Sequence, residues 1–434
     1  MILHARLLAV AFGACALFLA CGDETPRTGF DETPGDAGPR PEASLPPSPP
    51  VDGSAPPPPD GADEPVVCTE SPCATQLAAG EHHVCARLDD GSVQCWGDDA
   101  MGVLGRGSID AGRAGVRPAP AFGLRRVTQI SAAARTTCAR DEDGAVHCWG
   151  DNRDGQLGLG TADDAPHPLP ERAILLEAVT RVDVGQRTAC AITSSGALHC
   201  WGRNDQQELG RPDAGAVASA GGVELSGVSV TRTAAGVGTT IALSTEGTLL
   251  AWGAVSGRQA SVSPDPNPVA IPTLANVTAI ASSVTHTCAV TLGDTYCWGS
   301  NAMGALCTGV VRDEAFPTTA AIPAAVVQQI TTSRHNTCAR LTNGTVRCCG
   351  DNTFGQMGTG AVAAHAHPTF TPTEPLPGHA VQVVASDQAA CALLRSGAVH
   401  CWGGNAHGEL GQGTVDDEAH PSAVKIPFEK ANDR

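Results

Sequence analysis

Seven copies of one short unit constrain this chain more than any other feature of its 434 residues. The first is Cys85-Ala86-Arg87-Leu88-Asp89-Asp90-Gly91-Ser92-Val93-Gln94-Cys95-Trp96-Gly97. The same thirteen-residue unit returns at Cys138–Gly150, Cys190–Gly202, Ile241–Gly253, Cys338–Gly350 and Cys391–Gly403, with a twelve-residue version at Cys288–Gly299. Successive copies start 47 to 53 residues apart. One such unit cannot bury an apolar face alone, so a period near fifty residues means a propeller or a solenoid.

Each unit reads as two short antiparallel strands around a turn. Asp89-Asp90-Gly91 suits a type I turn followed by a residue at positive φ, which Gly91 adopts without a Cβ clash. That loop sets Cys85 directly opposite Cys95, close enough for a disulfide. The same argument pairs Cys138 with Cys148, Cys190 with Cys200, Cys338 with Cys348, and Cys391 with Cys401. In the short copy a two-residue loop at Leu292-Gly293 keeps Cys288 opposite Cys297. The fourth copy loses both positions together, to Ile241 and Ala251, as a pairwise bond requires. The plainer alternative is a set of small buried residues that happen to be cysteine. All six Trp occupy one phase, on the sheet face opposite the preceding Cys, where an indole suits packing between neighbouring units.

Residues 1–20 carry one basic residue, Arg6, before an apolar run that is too short to span a bilayer; they read as an export signal. Phe18-Leu19-Ala20-Cys21 matches a bacterial lipobox imperfectly, and Cys21 is the expected lipidation site. The rest of the 21–66 segment, residues 22–66, holds 13 Pro and 6 Gly in 45 positions. It is an acidic tether that buries no core, with a reach of roughly 140 Å at about 3.1 Å per residue. Residues 67–434 form the head. Cys68 and Cys73 are expected to close a short loop at its start, since the spacing is not that of a metal site and an exported compartment favours disulfides.

A second signature follows each Trp-Gly. It reads Asn152-Arg153-Asp154-Gly155-Gln156-Leu157-Gly158 in the second copy and Asn352-Thr353-Phe354-Gly355-Gln356-Met357-Gly358 in the sixth. The fourth copy lacks it; Pro264-Asp265-Pro266-Asn267-Pro268 follows instead, read as a structural departure or an interaction loop. Together the two signatures resemble the repeat of the regulator of chromosome condensation family over about residues 74–428. The resemblance implies an all-β, seven-bladed propeller with four-stranded blades, closed by N- and C-terminal strands sharing one blade. Pro421–Pro427, in phase with Arg117–Phe122, is then expected beside Ala74–Gly80 and Cys85–Trp96. Two cysteines depart from the repeat: Cys307 replaces the last Gly of Gln-Leu-Gly, and Cys349 replaces a Trp in the next blade. A Cys307–Cys349 disulfide is expected, with two free buried thiols as the alternative.

The chemistry-bearing candidates are weak. His365-Ala-His367 has metal-like spacing, yet His167-Pro168, His367-Pro368 and His420-Pro421 recur at one phase and read as scaffold. Asp141–Gly144 and Asp151–Gly155 lack calcium-loop spacing. No catalytic set, cofactor or metal site emerges, and no enzyme activity is expected. Family members act on a small GTPase and contact chromatin, but the head carries a net charge of about −11 once leader and tether are set aside, which repels nucleic acid. The reading is a monomeric, lipid-anchored scaffold at the bacterial cell envelope, on the outer membrane or cell surface, binding a protein or glycan through residues the sequence does not name. The alternative is an inhibitor of an exported enzyme such as a β-lactamase.

Overall fold

Every repeat folds into four antiparallel strands, and seven such sheets account for the twenty-eight strands of the described residues. The structure is a computed structural model describing residues 64–69, 71–109, 115–174, 178–212, 214–254, 264–322 and 327–428. The leader, Cys21 and tether residues 21–63 lie outside the described residues. Blade one comprises β1 (Ala74–Ala79), β2 (His83–Leu88), β3 (Val93–Gly97) and β4 (Gly115–Pro120). The innermost strands of the following blades are β5 (Val127–Ala133), β9 (Val179–Val184), β13 (Val230–Ala235), β17 (Val277–Ser282), β21 (Val327–Thr332) and β25 (Ala380–Ala385). They contact one another in sequence, and β25 returns to β1. This is a seven-bladed propeller.

The hairpin turn is local chemistry. Gly91 takes φ 76°, its N–H donates to Leu88 O (3.0 Å), and Leu88 N–H donates to Ser92 O (2.9 Å). Cys85 then faces Cys95 in register, as Cys138 faces Cys148, Cys190 faces Cys200, Cys288 faces Cys297, Cys338 faces Cys348 and Cys391 faces Cys401. All six pairs are joined, with Cα atoms 4.0–4.2 Å apart. Ile241 faces Ala251 at the same place in blade four.

Between blades, a recurring lock holds the ring. All six Trp are fully buried. The indole Nε1 of Trp149 donates to Val103 O of the preceding blade (2.7 Å), Trp201 and Trp402 to Gln156 O and Gln356 O (2.9 Å each), and Trp252 to Glu208 O (2.8 Å). The Gly ending each Gln-Leu-Gly loop lies under the next indole: a Cβ on Gly158 would sit 2.9 Å from Trp201 Nε1, and its φ of +72° disfavours a side chain as well. Trp298 follows the blade that lost this loop, and its Nε1 has no partner among the described residues. Where the Trp is replaced, Cys349 is bonded to Cys307, which itself adopts φ 57° in the glycine's place.

The ring does not close by sharing a blade between the chain ends. The last strand, β28 (Asp416–Lys425), pairs with β27 (Val399–Asn405) of its own blade, not beside Ala74–Gly80 or Cys85–Trp96. The reason is the phase of the repeat: each copy's outer strand follows its own loop, so seven whole blades fit between Ala74 and Lys425. The seam between blades seven and one instead reuses the lock of the other junctions. Trp96 Nε1 donates to Glu409 O (2.8 Å), and Ala74 N–H donates to Gly397 O (3.1 Å), as Val127 N–H does to Gly91 O (3.0 Å). One apolar cluster spans the seam, with Leu77, Val84 and Trp96 from one side and Val381, Leu393 and Leu410 from the other. The N-terminal segment adds Val67 N–H to Arg395 O (2.7 Å) and Thr69 N–H to Ser396 O (3.1 Å), pinned by the Cys68–Cys73 disulfide.

Blade four also differs from what its sequence suggested. Pro264–Pro268 is not a loop: Asp265–Ala270 forms the outer strand of its sheet. An outer edge is where Pro is tolerated, because its missing N–H costs no ladder bond. The His-Pro pairs also lie on outer strands, where a Cβ on Gly102, Gly304 or Gly355 of the preceding blade would strike Pro168, Pro368 or Pro421 at 2.6–2.8 Å. That close fit makes them scaffold.

Buried histidines bridge blades as well. Thr337 Oγ1 donates to Ala305 O (2.7 Å), so it accepts from His286 Nε2–H (2.7 Å), which leaves Nδ1 without a proton. Burial, with a smaller contribution from His335, pushes the His286 pKa down to about 3. Only hydroxyls face its Nδ1, those of Thr285 and Ser283. The folded state therefore keeps His286 neutral, whereas the unfolded chain protonates near pH 6.5. Its contribution is complete above pH 6.5 and is lost as the pH falls towards 3; at pH 4.5 the loss is on the order of 2–3 kcal/mol. His286→Gln is expected to flatten the fall in thermal midpoint between pH 7 and 4.5; an equally steep fall would refute the assignment.

Candidate functional site

The inner strands enclose a central channel of about 720 Å³. Its wall is fixed by side chains the sequence reading did not single out. Gln76 Nε2 donates to Ile130 O (3.1 Å) and its Oε1 accepts from Ile130 N–H (2.9 Å). Gln129 spans to Val182, Gln329 to Val383 and Gln382 to Leu77 in the same two-bonded way. Each amide thus continues the sheet from one blade into the next. A Gln two residues past the start of four inner strands was the available signal; it fell outside the thirteen-residue unit.

The two mouths of the channel are both charged but differ. At the end where the inner strands begin, Glu64 is held by Arg340 (2.7 Å), His379 (2.9 Å) and Arg395. Burial pushes the Glu64 carboxyl up, and the hydrogen bonds from Arg395 and Arg340 outweigh it and hold it below its ordinary value. Glu64 belongs by sequence to the tether, yet it sits on the head. Arg87, Arg140, Arg181 and Arg232 line the channel from neighbouring blades.

At the other mouth, loops of four contiguous blades form one charged lattice. Glu81 of blade one meets Arg135 of blade two (3.2 Å) and Arg334 of blade six (3.6 Å), and Arg334 Nε donates to Asp387 of blade seven (2.8 Å). The Asp387 carboxylate raises the Arg334 pKa above its ordinary value. Backbone bonds fix these loops: Glu81 N–H donates to Ala134 O (2.7 Å) and Asp387 N–H to Glu81 O (3.0 Å). Such a surface presents both signs of charge at set positions, which suits a complementary charged partner.

Among the described residues two groups have metal-ligand geometry: Cys68, Cys73 and Asp89, whose thiols are consumed by their disulfide, and His82, His407 and Glu409. His365 and His367 lie with ring centroids 4.5 Å apart and join no such group of three. The structure also brings Cys307 to Cys349.

The profile of the regulator of chromosome condensation (RCC1) repeat matches residues 74–103, 127–156, 179–207, 327–356 and 380–409 in one form, and 143–192 and 396–432 in another. The chain is built of RCC1-type repeats. This RCC1-type propeller is 27% identical over 364 residues to the ultraviolet-B receptor UVR8 of Arabidopsis thaliana, covering 80% of this chain and 81% of the receptor. To protein pim1 of Schizosaccharomyces pombe it is 25% identical over 224 residues, 47% of this chain and 41% of that one. The chain therefore spans most of the receptor but under half of pim1. Among solved structures, Prp20p of Saccharomyces cerevisiae has a TM-score of 0.68 at 21% identity, over 78% of this chain and 86% of that one. Human WBSCR16 has the same TM-score at 17% identity, over 78% and 95%. At these identities the structural likeness concerns the fold.

Proposed function

We propose that this RCC1-type propeller is a lipid-anchored, exported binding scaffold at the bacterial cell envelope, and that its partner is a protein docking on the Glu81–Arg135–Arg334–Asp387 mouth. The observation that carries this reading is that lattice: charges from four blades, held by backbone bonds on a rigid ring. A folded scaffold with function placed in its loops is how such rings work. Prp20p, similar in fold, binds Gsp1p and histones. A protein suits the site better than a glycan, since fixed charges of both signs complement a charged protein surface. The signal-like leader, Cys21 and the proline-rich tether support display at a membrane surface.

The test uses the full chain expressed in the producing cell. Cross-linking on the envelope is expected to yield a protein partner with wild type and to lose it with Glu81→Lys. Recovery of the same partner by Glu81→Lys would overturn the docking face. Cys21→Ser is expected to move the protein from the membrane to the soluble fraction, and a wild-type protein already soluble would overturn the anchor.

A further inference from the structure

Where blade seven meets blade one, two imidazoles and a carboxylate converge. His82 sits in the loop between β1 and β2, and His407 and Glu409 follow β27. The His82 and His407 rings stack with centroids 4.3 Å apart. Glu409 Oε1 lies 3.0 Å from His407 Nδ1 and 3.4 Å from His82 Nδ1, the latter too poorly aligned for a hydrogen bond. The Glu409 side chain is 0% exposed, that of His82 16%, and that of His407 38%. The site is therefore buried at its carboxylate and open at one imidazole.

The Glu409 carboxylate is held from behind, and the backbone of Glu409 and of His82 is fixed. Glu409 Oε2 accepts from His407 N–H (2.8 Å), and Glu409 O accepts from the Trp96 indole (2.8 Å). His82 O accepts from Asp98 N–H (2.9 Å). Glu81 Oε1 stands 3.8 Å from His82 Nε2 and adds negative charge. Outer partners of this kind orient metal ligands.

Ligand atoms bound at about 2.0–2.1 Å to a tetrahedral ion lie about 3.3 Å from one another. The 3.0 and 3.4 Å separations around Glu409 Oε1 bracket that spacing. Two imidazoles with one carboxylate favour first-row ions such as zinc over calcium or magnesium, which take oxygen ligands. We propose that His82, His407 and Glu409 bind one divalent first-row metal ion, with zinc as the expected species, across the seam between blades seven and one. Three protein ligands leave a coordination position open towards solvent beside His407. The ion would join the first and last blades at the one junction whose two sides are not consecutive in sequence.

Titrating the full chain, stripped with chelator, with Co²⁺ alone is expected to give one equivalent of binding and visible absorption bands of a four- or five-coordinate site. Zinc should abolish those bands and raise the thermal midpoint. His407→Ala is expected to weaken binding on the order of tenfold or more, with an unchanged midpoint in chelator. His82→Asn is the second variant, expected to have the same effect should His407→Ala prove unstable. His365→Ala/His367→Ala should bind as wild type. Absence of bands, or Co²⁺ binding unchanged in the folded His407 or His82 variant, would overturn the proposal, as would loss only in the His365/His367 variant.

Discussion

Trp149→Ala is expected to lower the unfolding free energy of the ring by about 3–5 kcal/mol. The side chain is fully buried between blades one and two, and the first blade's Val103, Leu104 and Ala121 pack in the same cluster. Gly105 lies against the ring because its lack of a side chain leaves room for the indole, which donates to Val103 O at 2.7 Å. Deletion leaves a cavity the neighbouring sheet cannot fill, since its strands are fixed by Gln76 and by Gly91 O. The contribution of the hydrogen bond can be separated from the packing. Trp149→Phe is expected to cost about 1–2 kcal/mol more than Trp298→Phe, because the Trp298 Nε1 has no partner among the described residues. Chemical denaturation of the four proteins decides it: equal losses for the two Phe variants would show that the indole bond is not part of the lock.

Cys307→Ala/Cys349→Ala is expected to cost about 4 kcal/mol in an oxidising buffer. The two residues are 42 apart, and the Cys338–Cys348 bond shortens the closed loop by nine, which leaves a large loss of unfolded-chain entropy to the bridge. The bridge stands where five other junctions use Gly and Trp: Cys349 Sγ lies 3.5 Å from Ala305 O, the carbonyl an indole would address. Cys307→Gly/Cys349→Trp therefore rebuilds the ordinary lock and is expected to recover more than half of that loss. Cys349→Trp alone should not, because Cys307 would occupy the space under the ring. A double alanine variant as stable as wild type would show that the bridge adds nothing to the fold.

Much of the ring was legible because its determinants are local or periodic. Gly91 at positive φ sets the hairpin, the hairpin sets Cys85 against Cys95, and alternation then puts Trp96 on the opposite face. The Gln-Leu-Gly loops could be read as a motif, but not what they touch: their Gly supports the next blade's indole, a contact across about 45 residues. The inter-blade glutamines were missed for the same reason, since Gln76 shows its role only once Ile130 stands beside it.

The charged mouths and the His82–His407–Glu409 group lie further still from sequence reading. His82 and Glu409 belong to copies at opposite ends of the chain, and neither residue recurs at its phase often enough to form a pattern. Glu64 looks like one more acid in a polar tether until Arg340, His379 and Arg395 surround it. By itself the sequence determined the number of blades, the hairpin register and the face that carries the indoles, because these follow from turn geometry and strand alternation within a dozen residues. Only the tertiary structure decided how the ring closes and which charges meet, because closure brings blade seven against blade one, and no periodicity encodes contacts between residues more than three hundred positions apart.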